Sequence, residues 1–385
     1  MSKDTYKPKI RITGHDEDWE KHKLSSFVSY TASNLTVKDA LKIGKFDLYD
    51  ANTIIGKTNC EPMETDYISI IKDGAGVGRI RKLPKNTMFI GTMGALQCKE
   101  ADLSFVYSLL SKFKLGERFS GSTIPHIYFK DYGNNDYYIP QIEEQIIIGQ
   151  YFDNIDNLIL LHQRELDKLV CVRKAMVEKM FPQNGNDIPT VRFDGYAEPW
   201  KLMIFSKIFI ERHVIDTISD EYPQLSFTIE EGVIRPEDKK TNKRDFLIID
   251  KANKKYLQTE YDDIIYNPAN VIYGAIHRNA LGRGCVSPIY KIFYTNQDPT
   301  FMECIVRHPR FIKEISRSME GTVKKLRTLK PKAFLNMSAY IAPTLEEQRQ
   351  IGEYFQQIDR LIEIEKEELE KVQHIKMACL EKMFV

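Results

Sequence analysis

The 385-residue sequence lacks any apolar run near the roughly 18 residues of a membrane-spanning helix, which excludes an embedded chain of that kind. Its six cysteines (Cys60, Cys98, Cys171, Cys285, Cys304 and Cys379) are scattered and form no CxxC pair, a pattern of reduced thiols and not of disulfides or structural zinc. The eight histidines make no HExxH or HxH pattern, and no carboxylate pair sits in a catalytic setting, so no active site is expected. The opening residues mix charges and lack an apolar segment; no signal peptide is expected, and the protein is expected to be cytoplasmic. A net charge of +1 excludes a uniformly basic coat. Basic residues still cluster locally, in "GRIRKLPK", "EDKKTNKRD" and "GTVKKLRTLKPK".

What the sequence does have is itself, twice. Pro140 to Phe181 and Pro343 to Phe384 align without a gap and agree at about half their positions, which indicates internal duplication. The identities include Glu144/Glu347, Gln145/Gln348, Ile148/Ile351, Gly149/Gly352, Phe152/Phe355 and the closing "EKMF". A shorter repeat precedes each: "PKIRITGHDEDW" ending at Trp19 and "PTVRFDGYAEPW" ending at Trp200. Within the long repeat, apolar residues step by four and three through Ile148, Phe152, Ile155 and Ile159 to Leu166 and Leu169, the seam of a paired helix. The second copy continues the pattern through Ile351, Phe355, Ile358, Ile362 and Leu369, and both seams break at the same places, His162/Glu365 and Arg173/Lys376. Each helix starts after a proline and paired glutamates, which suit the positive end of a helix dipole. A helix from about Glu144 to Met180 would be roughly 55 Å long. Two such helices are expected to pair as an antiparallel coiled coil around a pseudo-two-fold axis, although two helical caps packed on separate cores would also fit the pattern.

The remaining stretches read as mixed α/β, with short β-type runs such as "YISIIK" and "VIYGAI" and helical runs such as "ADLSFVYSLLSKF". The expected layout is residues 1–140 as a first domain, 141–181 as a first spacer helix, 182–200 as a linker and repeat start, 201–343 as a second domain and 344–385 as a second spacer helix. Three catalytic lookalikes fall away. "DGAGVGRIR" has GxGxG spacing followed by basic residues and Pro84, which favours a tight hairpin over a nucleotide loop. "IGKT" ends like a phosphate loop, but Ala51 stands where its first glycine belongs. "YNPANV" lacks the second proline and the aromatic residue of an adenine-methyltransferase motif.

Binding chemistry remains. Lys72, Arg79, Arg81, Lys82 and Lys85 surround glycine turns and are candidates for phosphate contact. In the second domain Tyr273, His277, Arg278, Asn279 and Arg283 lie in a glycine-bounded stretch, where Arg and Asn suit guanine and adenine edges; a solvated polar loop is the alternative. Ser122 and Thr123, with Lys324, Lys325 and Arg327, follow glycines that would allow close approach to a backbone. Trp19 and Trp200 are expected to anchor their domains by packing.

The doubled "EEQ-x-x-I-G" helix start, the terminal "EKMF", the "R-[IF]-x-G-x-x-x-x-W" element, "GSTIPHI" before the first repeat and "GCVSPIYKIF" resemble the specificity subunit of type I restriction-modification systems, over nearly the whole chain. The resemblance implies two target-recognition domains, each reading one half of a bipartite site in double-stranded DNA, joined by a helical spacer that is also the platform for two methyltransferase subunits. Restriction and translocase subunits would join them in a complete system. It implies no catalytic residue and no cofactor on this chain; S-adenosylmethionine, ATP and Mg would belong to the partners. Because DNA grooves repeat about every 34 Å, the duplicated helix is expected to serve as a ruler between half-sites. A coiled-coil adaptor for proteins and a self-sufficient DNA methyltransferase stay open as rival readings.

Overall fold

The computed structural model describes residues 5–113, 115, 125–183, 185–238, 254–319 and 327–384. The fold is mixed α/β, and the chain divides into two units, Met1–Glu165 with Glu365–Val385, and Leu166–Ile364. Five helices matter below: α1 (Leu103–Phe113), α2 (Ile142–Lys179), α3 (Pro299–Arg307), α4 (Pro309–Ser318) and α5 (Leu345–Met383). Among the described residues no helix is long and apolar enough to cross a membrane.

The first unit is built on a four-stranded antiparallel sheet of β1 (Val28–Ala32), β2 (Tyr67–Ile71), β3 (Ile80–Leu83) and β4 (Met93–Cys98), in the order β1-β4-β2-β3. The central strand β2, Tyr-Ile-Ser-Ile-Ile, is buried at every position, as β-branched and aromatic residues favour in a strand covered on both faces. Phe105, Val106, Leu109 and Leu110 lie on one face of α1 by helical spacing and share a core with Ile68, Ile70 and Leu96. A smaller three-stranded sheet, made of Phe46–Tyr49, Ile54–Thr58 and Thr87–Phe89, packs its own cluster around Leu48, Tyr67 and Phe89.

In the second unit β5 (Phe209–Glu211), β6 (Ile264–Tyr266), β7 (Ile276–Arg278) and β8 (Lys291–Thr295) also run in the order first, fourth, second, third. Here α3 starts at Asp298, whose carboxylate accepts from the Thr300 and Phe301 amides, with Pro299 next in line as a preformed first turn.

The long helices run past each other in opposite directions inside each unit. In the first, the Tyr151 hydroxyl lies 3.3 Å from Cys379 Sγ, Lys376 pairs with Asp156, and His162 Nδ1 lies 2.6 Å from Glu365. In the second, Arg173 Nη2 donates to Asp359 at 3.0 Å. The residues that interrupt the apolar seams are thus the ones that reach across, so each interruption gains a polar or charged partner that holds the register.

Candidate nucleic-acid interface

Each helix start repeats one piece of anchoring chemistry. Arg11 donates to both oxygens of Glu144, at 2.9 and 2.8 Å, and Arg192 does the same to Glu347, at 2.7 and 2.9 Å. Both carboxylates are buried, so removing either arginine would strand a charge away from water. The next residue clasps the helix that crosses below: Gln145 Oε1 accepts from the Asp102 amide at 3.1 Å, and Gln348 Oε1 from the Asp298 amide at 3.0 Å. Their amide nitrogens donate back to the carbonyls of Pro140 and Ala342. Four residues further on, glycine is obligatory. A Cβ on Gly149 would sit 2.9 Å from the Phe105 nitrogen, and one on Gly352 would sit 2.8 Å from that of Phe301. The doubled Glu-Gln-x-x-Ile-Gly is therefore a lock between a long helix and the start of α1 or α3.

The closing "EKMF" completes each lock. Phe384 packs against Trp19, Phe105 and Phe152, with ring centroids 5.5 to 6.2 Å apart. Phe181 packs against Trp200, Phe301 and Phe355 at 5.8 to 6.0 Å. Both tryptophans are buried and anchor by packing; only Trp200 also donates its indole N–H, to Glu347 at 3.2 Å.

The candidate contact residues are distributed unevenly around this frame. The glycine stretch is the hairpin turn between β2 and β3, with Gly74, Gly76 and Gly78 all at positive φ. Three of its amides are used internally, Val77 to Gly74, Gly78 to Ile71 and Arg79 to Gly76, and are not free to hold a phosphate. The "IGKT" stretch is strand, and "YNPANV" is a turn in which Asn267 accepts from the Ala269 and Asn270 amides.

Arg79 and Arg81 come together on the Asp50–Asn52 turn: Arg79 Nη2 donates to Asn52 Oδ1 at 2.7 Å, and Arg81 Nη1 to the Asn52 carbonyl at 2.8 Å. Arg81 also lies over the Tyr49 ring. Arg79 and Lys85 are exposed, Lys72 is half-buried and pairs with Asp73, and Lys82 instead joins Ser104 and Asp153 on the helical side.

In the second unit Tyr273 and Arg283 are exposed, with Arg283 paired to Glu221. His277, Arg278 and Asn279 are buried. His277 Nε2–H donates to the Ile229 carbonyl at 2.8 Å, Arg278 bonds Asp262 at 2.6 Å and reaches Glu303 at 3.4 Å, and Asn279 holds its own turn through Glu260 and Gly282. Burial, reinforced by the Arg307 charge, pushes the His277 pKa down to about 4. Arg327 donates to the Met319 carbonyl at 2.8 Å. Ser122, Thr123, Lys324 and Lys325 lie outside the described residues.

A second apolar stripe along α2, Ile147, Tyr151, Leu158 and Leu161, stays substantially exposed at 39 to 53%. Its stepping, four and three with Asn154 interrupting it, was present in the sequence, but the more apolar seam beside it masked the signal.

Comparison with known proteins places this geometry. Residues 16–170 match the type I restriction modification DNA specificity domain. The chain is thus similar to the specificity subunits of type I restriction-modification systems. It is 25% identical over 396 aligned residues to the type I restriction enzyme MjaVIII specificity subunit of Methanocaldococcus jannaschii, spanning 94% of this chain and 90% of that protein. Its fold resembles the crystal structure of the type I restriction-modification system S subunit from M. genitalium, with a TM-score of 0.68 and 17% identity, over 99% of each chain.

Proposed function

We propose that this chain is a specificity subunit that selects the DNA sequence on which a type I restriction-modification complex acts, by binding a bipartite site and presenting it to modification subunits. The observation that carries the reading is the doubled lock. Arg11–Glu144 and Arg192–Glu347, with the same glutamine, glycine and phenylalanine around them, mount two mixed α/β domains on the same helical device. The sheets share a strand order, while the surface residues differ: Arg79, Arg81 and Lys85 on one, Tyr273 and Arg283 on the other. Equal mounting with unequal surfaces suits two different half-sites.

In this reading α2 and α5 form an antiparallel coiled coil, with cross-pairs such as His162–Glu365 and Arg173–Asp359 fixing its register. Two modification subunits would dock on the helices, and the exposed Ile147–Leu161 stripe has the stepping that a partner helix needs. S-adenosylmethionine, ATP and Mg are assigned to the partner subunits, as is the catalysis.

The test is the methylated-adenine map of cells expressing this chain with its modification subunit, against cells lacking the chain. A bipartite motif that disappears on deletion is the expected result. An unchanged map, with partner activity present, would favour the protein-adaptor reading.

A further inference from the structure

The first unit carries an apolar tip that its own fold leaves bare. Ile43 is 89% exposed, and Val37 and Leu41, close before it in the chain, are 63 and 43% exposed. Single exposed aliphatics are ordinary, but three within seven residues, one of them almost wholly in water, mark a contact surface.

The tip is also held in place. The Leu41 amide donates to the Lys57 carbonyl and the Lys57 amide to the Leu41 carbonyl, each at 2.8 Å, and the Lys45 amide donates to the Thr58 carbonyl at 3.1 Å. Two glycines permit this clamp. A Cβ on Gly44 would meet the Lys57 Cβ at 2.8 Å, and one on Gly56 the Leu41 carbonyl oxygen at 2.8 Å. Ile43 is therefore displayed on a preorganised loop, and the entropy of ordering it is lost before any partner arrives.

Charge names the partner. Lys42 and Lys45 flank Ile43, both are exposed, and among the described residues neither amine has an acidic partner. The neighbouring carboxylates are already engaged: Asp39 accepts from the Thr36 amide and hydroxyl at 2.7 Å, and Asp47 pairs with Lys57 at 2.6 Å. An aliphatic side chain between two uncompensated lysines matches a DNA groove, with apolar base surface inside and phosphates on either rim.

We infer that the Leu41–Lys45 tip is a base-contacting element of the first unit: Ile43 enters a groove of one half-site, and Lys42 and Lys45 hold the phosphates beside it. The inference rests on the DNA-reading function proposed above and adds a specificity-determining residue to it.

The experiment measures binding of the full chain, assembled with its modification subunits, to a duplex carrying the mapped methylation motif and to a scrambled duplex, across a salt series. Ile43→Ala is expected to weaken binding to the motif about tenfold, leave scrambled DNA unchanged and keep the salt slope. Lys42→Ala with Lys45→Ala is expected to weaken binding to both duplexes and reduce the salt slope by about 2. Motif binding by Ile43→Ala equal to wild type, or an equal loss on both duplexes, would overturn the base contact while leaving the DNA-reading function intact. Loss of modification-subunit association in Ile43→Ala would make the tip a protein dock and overturn it as well. Wild-type complex that does not prefer the motif would overturn both proposals.

Discussion

His277 is a residue whose chemistry is fixed by distant chain. Its ring is buried, donates to the Ile229 carbonyl, lies near Glu303 at 3.8 Å and faces the Arg307 charge; burial dominates and holds it neutral. Its folded pKa of about 4 lies below the ordinary 6.5, so the unfolded chain takes up the proton first as pH falls. The stability that neutral His277 contributes is complete above about pH 6.5 and is lost as pH falls toward 4, a loss of about 3 kcal/mol. Urea midpoints at neutral and mildly acidic pH should therefore converge between wild type and His277→Gln as pH falls, and parallel profiles would disprove the assignment. The sequence marked His277, Arg278 and Asn279 as one glycine-bounded polar stretch. It could not reveal that Ile229, Asp262 and Glu303, brought from other parts of the chain, satisfy those side chains internally. Exposure of Arg79, Tyr273 and Arg283 was equally hidden, because a loop residue's surroundings are set by tertiary contacts and not by local pattern.

The long helices were far more legible. Apolar stepping, the proline starts and the repeated ends located them to within a few residues, since a helix writes its buried face into its own spacing. The purpose of Glu-Gln-x-x-Ile-Gly was not legible: paired glutamates read as dipole partners, whereas the second of each pair is a buried ligand for Arg11 or Arg192. Nor does spacing say which of two adjacent stripes stays open. Leu158 and Leu161 lie on the open one, 46 and 53% exposed, so charging them costs the isolated chain little. The double variant Leu158→Glu, Leu161→Glu should keep the wild-type thermal midpoint and lose at least tenfold in affinity for the modification subunit, read by calorimetry or co-purification. Retained affinity would move the docking face off this stripe; a collapsed midpoint would mean that the stripe is internal packing.

At the scale of the whole chain, the doubled lock predicts which segments can be exchanged. In the second unit the strand Lys201–Ile204 pairs antiparallel with Ser338–Ile341, bringing the two ends of the domain together just inside the anchors Trp200 and Glu347. Replacing residues 201–342 with the corresponding segment of the MjaVIII specificity subunit keeps Arg192, Glu347 and the helix seam. The graft must still supply a helix cap and an aromatic residue in the places of Asp298 and Phe301, because the Asp298 carboxylate caps α3 and Phe181 packs on Phe301. Such a chimera is expected to assemble with the same modification subunits and to methylate a motif in which one half is new and the other half unchanged. A methylation map with both halves altered would mean that the two domains do not read independently. An unaltered map would place recognition outside residues 201–342, which would leave the first unit, with Arg79, Arg81 and the Ile43 tip, as the sole reader.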